Sequence, residues 1–501
     1  MARVENESLP ATANPRKLLF LADCHLRDAL WPPFHQNLMR ALTAAFDVLA
    51  VRTNVFFLDR SQIPRSDGDL ASFCQVARDY RPDVVLSINR AGLGASAHEA
   101  FGAAGVVTMF IDLFERFEPA VHQYRPGEYV WLLGNEKLRA RFLNCYGSRL
   151  PADHIVASHW CADDHAFIPT GVPRAKDVVY VGSPFSSIPF AEILNAVASD
   201  PVNRAALLAV YEEHKRDFLY DWPASLRRHG FRFDRVPADA APWFRDGFYL
   251  QTAACDQLTA EARFRFLAAL AGLDLHVYGT PTLKWLHNMG LVNSDLFRHY
   301  QFRGVDDPAE LSGLYNSARI GVNLQHDSAR GHGMSFRVYE VMACKALLVT
   351  HADATVPLTE MGFTEGADFV AFTGPAELRR KCDYYLARDA ERQAIVESAN
   401  AKLRGRHTVA HRLAELFGRS GDQSARERFL ASTATGPGSF VGRIRHVPDR
   451  ISDLPAAGGT PNPVDALKAE IEAIRSSWAL RIGTWMTAPV RPVKRLLRRA
   501  G

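Results

Sequence analysis

Ala318–Thr350 reads ARIGVNLQHDSARGHGMSFRVYEVMACKALLVT, and its periodicity decides the fold class. The apolar run Ile320–Leu324 has the length and composition of a buried strand. A polar loop containing Gly331 and Gly333 follows it. Ser335 stands where a helix N-cap belongs, Phe336–Ala346 has helical spacing, and Leu347–Thr350 is a second buried strand. In a parallel sheet, such a strand–loop–helix–strand unit aims a helix N-terminus, with its unpaired N–H groups, at the cleft beyond the strand ends. Arg337 adds a fixed charge in the first helical turn, and Glu340 follows one turn on. An anion clamp beside a carboxylate that can accept from a ribose diol suits a nucleotide-sugar diphosphate.

Outward from this stretch, two successive sets of short apolar runs alternate with helical segments, the pattern of doubly wound α/β domains. The first set is Leu18–Ala22, Val48–Val51, Val84–Ile88 and Val106–Ile111, with a further strand at Tyr129–Leu133. The second is Val178–Val181, Leu273–Tyr278, Ile320–Leu324, Leu347–Val349 and Phe369–Phe372. Ile168–Pro173 carries turn residues and marks the hinge, giving an N-terminal domain over 1–172 and a second domain over 173–420. Residues 190–270 are long for one crossover and read as a largely helical insertion. Residues 421–463 are a linker rich in small residues and proline, and 464–501 hold a helix and a basic amphipathic tail.

Bulk properties narrow the class. At 501 residues, 47% hydrophobic and 23% charged, the chain is globular and long enough for more than one core. A net charge of +4 gives no basis for nucleic-acid binding. Seven scattered cysteines without CxxC spacing suggest neither a disulfide framework nor a zinc site, and fit a reducing cytoplasm. No signal-peptide pattern and no long apolar window is present, so the expected location is cytoplasmic.

In open α/β sheets ligands bind beyond the carboxyl ends of the strands. In the second domain that rim comprises Gly182-Ser183-Pro184, Gly279-Thr280, Gln325–Ser335 (His326 among them) and His351–Thr355. The words of the rim resemble the donor signature of GT-B glycosyltransferases of the CgeB-like group. The matching positions are Asn323, Leu324, Gly333, Met334, Arg337, Val338, Glu340, Met342, Ala343 and Cys344. Asp177–Ser183, Leu273–Gly279, Arg303-Gly-Val and His407–Arg412 extend the resemblance over 175–417. It implies two Rossmann-like domains facing a cleft, with the last helices packing back on the first domain. The implied activity is transfer of a sugar from a nucleotide diphosphate, with no cofactor and no metal. Glu340 would hold the ribose, Arg337 the diphosphate, and Ser335 and Phe336 would offer backbone N–H groups.

Three departures stand out. The family's Cys-Gly is Cys344-Lys345 here, which removes a helix C-cap glycine. Gly182–Phe185 lacks the Arg and Lys that relatives turn on the diphosphate, leaving the charge to Arg337 with Lys284. His332 stands where a paired-glutamate motif has its first carboxylate.

On the acceptor side, Asp23-Cys-His25, Asn89-Arg90 and Asp112 with Glu115 end strands. Gly105–Asp112 resembles the family's strand that ends in Asp, making Asp112 the first choice for base and His25 the second. The tail Trp478–Gly501 interleaves aromatic and aliphatic residues with Arg and Lys. It suits an anionic membrane surface at roughly 1 kcal/mol per basic residue. The run from Ser477 to Arg491 resembles tails of bacterial cell-surface polysaccharide glycosyltransferases, which implies a glycan or lipid-linked saccharide acceptor. A non-catalytic glycan-binding module and a nucleotide-sugar epimerase or hydrolase on the same fold are the alternatives.

Overall fold

The computed structural model describes residues 17–24, 52–59, 77–90, 95–102, 104–111, 122–125, 127–182, 190–238, 248–279, 295–301 and 307–416, with single positions between them. His25, Asp112, Glu115, Ser183, Thr280, Lys284, the linker and the tail lie outside the described residues.

The first unit is a six-stranded sheet: β1 (Lys17–Cys24), β2 (Arg52–Asp59), β3 (Val84–Ile88), β4 (Gly105–Phe110), β5 (Glu128–Leu133) and β6 (Ile155–Ser158), in the order β2-β1-β3-β4-β5-β6. Every pairing is parallel. Helices α1 (Ala95–Phe101) and α2 (Glu136–Tyr146) belong to this unit. β3 and β4 are buried throughout, as expected of central parallel strands covered on both faces. The expected strand Val48–Val51 lies outside the described residues. The described second strand is Arg52–Asp59, which pairs with β1 from Lys17↔Arg52 to Cys24↔Asp59. β6 (IVAS) is short and only half-buried, so its periodicity was too weak to mark a strand.

The second unit is a five-stranded parallel sheet of β7 (Lys176–Val181), β8 (Leu275–Tyr278), β9 (Ala318–Asn323), β10 (Leu347–His351) and β11 (Val370–Phe372), ordered β11-β10-β9-β7-β8. Its strand order reverses between β7 and β9, which creates the crevice where such sheets take ligands. Between β7 and β8 run α3 (Phe190–Ala196), α4 (Pro201–Arg216), α5 (Trp222–Arg228) and the long α6 (Phe248–Ala269). Downstream come α7 (Pro308–Ser317), α8 (Phe336–Ala343), α9 (Thr355–Glu360), α10 (Pro375–Leu386), α11 (Asp389–Arg406) and α12 (Val409–Leu416).

Asp200 and Asp221 cap α4 and α5, each ahead of a proline in the first turn. α3, α4, α5 and the start of α6 share a core around Phe190, Trp222 and Phe244. The second half of α6 packs on the sheet through Phe266, Leu267 and Leu270. α8 lies against the opposite face. A Cβ at Gly321 would meet the Val341 methyls at 2.6 Å, so glycine there permits the close approach of α8 to β9.

The units share a core. Trp131 and Trp160 cluster with Val338, Tyr339, Leu413 and Leu416. α12 returns to the first unit, where Ala162 receives the Val409 N–H at 3.0 Å and donates to His407 O at 2.8 Å. The connecting segment is fastened by Asn316, which bonds Thr170 N and Ile168 O, and by Arg174, which donates to Ala318 O and Cys344 O. The inserted helices also reach the first unit. Phe218 joins Phe110 and Phe142, and the Arg141 guanidinium lies 3.4 Å from the Tyr220 ring centroid. Among the described residues no helix is long and apolar enough to cross a membrane.

Candidate active site

The rim of the second sheet is assembled from the quoted stretch. β9 ends at Asn323, whose amide donates to Thr350 Oγ1 of the neighbouring strand at 3.0 Å, inside the sheet. His326 caps the short turn that follows and bonds Ser328 Oγ at 2.7 Å and Asp256 of α6 at 3.1 Å. Asp327 takes His214 Nε2 at 2.9 Å and pairs with Arg330, while its own N–H goes to Thr259. Hydrogen bonds within the protein outweigh burial and keep Asp327 below the usual carboxylate range.

His214, Cys255 and Asp327 have metal-ligand spacing, with their ligand atoms within 4.8 Å of one another. The Leu219 N–H points at His214 Nδ1, so Nε2 carries the proton and donates to Asp327. A cation on Nε2 would turn two N–H groups on each other at Nδ1. The cluster therefore reads as a clip that fixes the 327–330 loop to the inserted helices.

The chain then enters α8. Gly331 has φ +77°, and Ser335 is the N-cap, its hydroxyl accepting the Arg337 N–H at 3.2 Å. Gln325 Oε1 accepts the Ser335 N–H at 3.2 Å. Arg337 and Glu340 form an ion pair at 2.7 Å, both more than two-thirds shielded. Burial works against the Arg337 charge, but the Glu340 carboxylate outweighs it, and the guanidinium is held above its ordinary range. Glycine is absent from the C-terminal end of α8, yet the turn forms. Lys345 takes φ +57°, its N–H bonds Met342 O, and Ala346 N bonds Val341 O, the two bonds of a Schellman cap. Lys345 Nζ points outward to Glu397 at 2.6 Å.

Gly333, Met334 and Phe336 at the tip of α8 face Ile111, Leu133 and Trp160 of the first unit across a cavity of about 100 Å³. The Phe336 and Trp160 rings meet edge-on at 5.0 Å. Asn135, the N-cap of α2, donates its backbone N–H to His332 O at 3.0 Å and its side-chain amide to Gly331 O at 3.3 Å. His159 Nε2 bonds Glu360 at 2.8 Å. Burial pushes the His332 imidazole down to about 4, beside Phe218 and Tyr220. At neutral pH it brings no charge to the place of a carboxylate.

Gly182 and Gly279 sit just beyond β7 and β8, with Gly182 N bonded to Tyr278 O and Gly279 N to Arg303 O. Three neighbours were not singled out from the sequence. Tyr180 reads there as an ordinary strand residue, Gln325 only as part of a loop, and Arg263 belongs to an apolar helix. In space Arg263 is buried at the strand edge, where it donates to Leu324 O at 3.1 Å. Glu261 and Arg265 on the same helix are exposed, so an arginine at 263 carries no local signal that it turns inward.

On the first unit, Asn89 and Arg90 follow β3 with φ +51° and +60°. Asn89 Oδ1 accepts the Ile111 N–H at 3.1 Å, fixing the residue before Asp112. Arg90 is buried against Glu128, which also bonds His98 at 3.0 Å, and stacks 4.4 Å from the Tyr124 ring centroid. Burial disfavours the Glu128 charge, but the hydrogen bonds from His98 and Arg90 prevail and hold its pKa down.

Residues 261–418 match the family described as Glycosyl transferase-like. Among solved structures, HepE of Anabaena, in complex with UDP and glucose, aligns with 81% of this chain and 100% of its own at 12% identity and TM-score 0.48. Sucrose-phosphate synthase of Thermosynechococcus elongatus aligns with 83% and 100% at 11% identity and TM-score 0.48. A glycosyltransferase of Rickettsia africae aligns with 81% and 98% at 12% identity and TM-score 0.47. No curated protein matches the chain. The family match thus falls on the greater part of the second unit, and the chain as a whole has two parallel α/β units.

Proposed function

We propose that the chain is a GT-B glycosyltransferase that takes a nucleoside-diphosphate sugar on its second unit and transfers the sugar to a glycan or lipid-linked saccharide held by the first. The observation that carries the reading is the Ser335-capped tip of α8. It opens on the cavity between the units and carries Arg337 in its first turn. As the sugar–phosphate bond opens, negative charge grows on the departing diphosphate. Helix N–H groups and the Arg337 guanidinium stabilise it without needing a metal. Glu340, oriented by Arg337, is the carboxylate proposed for the ribose hydroxyls.

Ile111, Leu133, Trp160, Met334 and Phe336 give the cavity an apolar side beside His159, Ser328 and His332, and that side favours an acceptor hydroxyl over water. Asp112, one residue beyond the fixed Ile111 amide, is proposed to take the acceptor proton, with His25 as the other candidate. The basic aromatic tail supports an acceptor at an anionic membrane surface, in keeping with cell-surface polysaccharide synthesis in the cytoplasm.

Calorimetric titration of the full chain with UDP, GDP and ADP tests the donor assignment. One of these should bind the wild type. Glu340→Ala and Arg337→Ala should each weaken it about 30- to 100-fold in variants that still fold. Wild-type affinity in both variants would remove the assignment. Turnover of a sugar nucleotide at equal rates with and without a saccharide acceptor would make the enzyme a hydrolase.

A further inference from the structure

Two buried neutral donors at the rim of the second sheet have no hydrogen-bond partner among the described residues: Tyr180 Oη and Gln325 Nε2. Each is an anomaly on its own terms, because a buried donor left unpaired costs about 1–3 kcal/mol. Their placement supplies a reason. Tyr180 and Gly182 lie on the same face of β7, and a Cβ at Gly182 would sit 2.3 Å from the Tyr180 hydroxyl. The phenol therefore runs along the strand and ends over the first residue beyond it, at the carboxyl edge. Gln325 stands two residues beyond β9, the strand next to β7 at the switch point. Its Oε1 is committed to the Ser335 N–H, which fixes the amide so that Nε2 is the donor left over.

Both groups thus belong to the crevice at the tip of α8, and both donate. The electrostatics agree. Burial raises the Tyr180 pKa, while the positive fields of Arg263 and Arg337 act on the phenol from nearby. The first loop of this unit carries no Arg or Lys from Gly182 to Phe185. Its contribution to an anion must come from other residues.

We propose that the Tyr180 hydroxyl and the Gln325 amide are diphosphate-binding groups, donating to phosphate oxygens of the nucleotide alongside Arg337 at the β7–β9 edge. This rests on the donor reading above and assigns it residues that neither the resemblance nor the sequence singled out. Tyr180→Phe removes one oxygen atom that no described residue bonds, so it should leave the fold intact. Gln325→Glu keeps an acceptor for the Ser335 N–H and replaces the spare donor with a negative oxygen.

The test titrates full-length wild type and both variants with UDP, GDP and ADP, and with uridine, guanosine and adenosine. For whichever diphosphate binds, Tyr180→Phe should weaken it about tenfold and Gln325→Glu about 100-fold. Affinity for the matching nucleoside should stay within twofold, and the Tyr180→Phe unfolding temperature should not fall. Wild-type diphosphate affinity in Tyr180→Phe, with affinity still lost in Glu340→Ala, would overturn this proposal and spare the donor reading. Equal weakening of nucleoside and diphosphate, or a lower unfolding temperature in Tyr180→Phe, would make the hydroxyl structural and overturn it too. No diphosphate binding by the wild type would remove both.

Discussion

At the switch point of the first sheet, Asn89 and Arg90 turn inward on left-handed backbone, and the Asn89 amide oxygen and both Arg90 Nη groups bond the protein itself, with Arg90 Nε left over. Asn89 holds the Ile111 amide, and Arg90 is buried with Glu128 and His98. At the switch point of the second sheet, Tyr180 and Gln325 keep donors that none of the described residues takes. Left-handed backbone at a non-glycine costs roughly 1–2 kcal/mol per residue, and a buried unpaired donor costs a similar amount. One edge therefore carries its strain for rigidity, the other for an external anion. The difference suits a framework that positions an acceptor and a rim that must grip and release a nucleotide.

The largest effect should come from breaking the buried ion pair of the first edge. Glu128→Ala leaves the buried Arg90 without its carboxylate and should cost about 3–5 kcal/mol in urea unfolding. A loss under about 1 kcal/mol would show that the first edge is no more rigid than the second.

A smaller effect sharpens the contrast through pH. Burial lowers His332 to about 4, Arg141 adds to the shift and Asp327 opposes it. The unfolded chain takes up this proton near 6.5, so the contribution is complete above that value. It is lost as pH falls from about 6.5 towards 4, by up to about 3 kcal/mol. His407, also lowered to about 4 by burial, acts in the same window. The unfolding temperature should therefore drop more steeply from pH 7 to 4.5 in the wild type than in His332→Phe. Identical slopes would mean that His332 is not buried neutral at the rim.

The smallest effect tests the far end of α8. Lys345→Gly should stabilise the protein by about 1 kcal/mol by relieving left-handed strain. The lost pair with Glu397, largely solvent-exposed, offsets little. A destabilised glycine variant would show that the lysine side chain, not the turn, holds this end of the donor helix.

Much of this was legible in order along the chain. Continuous apolar runs marked nearly every strand of both sheets, because parallel strands are covered on both faces. Ser335 marked the start of α8, and Cys344-Lys345 marked a turn whose strain the structure shows. The bounds of β2 came from its pairing with β1, because two apolar runs lie side by side in the chain there.

The sequence by itself determined the two α/β units, the capped helix after β9 and the Arg337–Glu340 pair, since each depends on residues within a few turns of one another. Tertiary structure alone decided that Tyr180, Arg263 and Gln325 meet at one rim and that Asn135 and His159 fasten the first unit to the second. It also decided that the inserted helices hold the 327–330 loop. Those contacts join residues far apart in the chain, and local spacing carries no information about which strand ends a sheet will bring side by side.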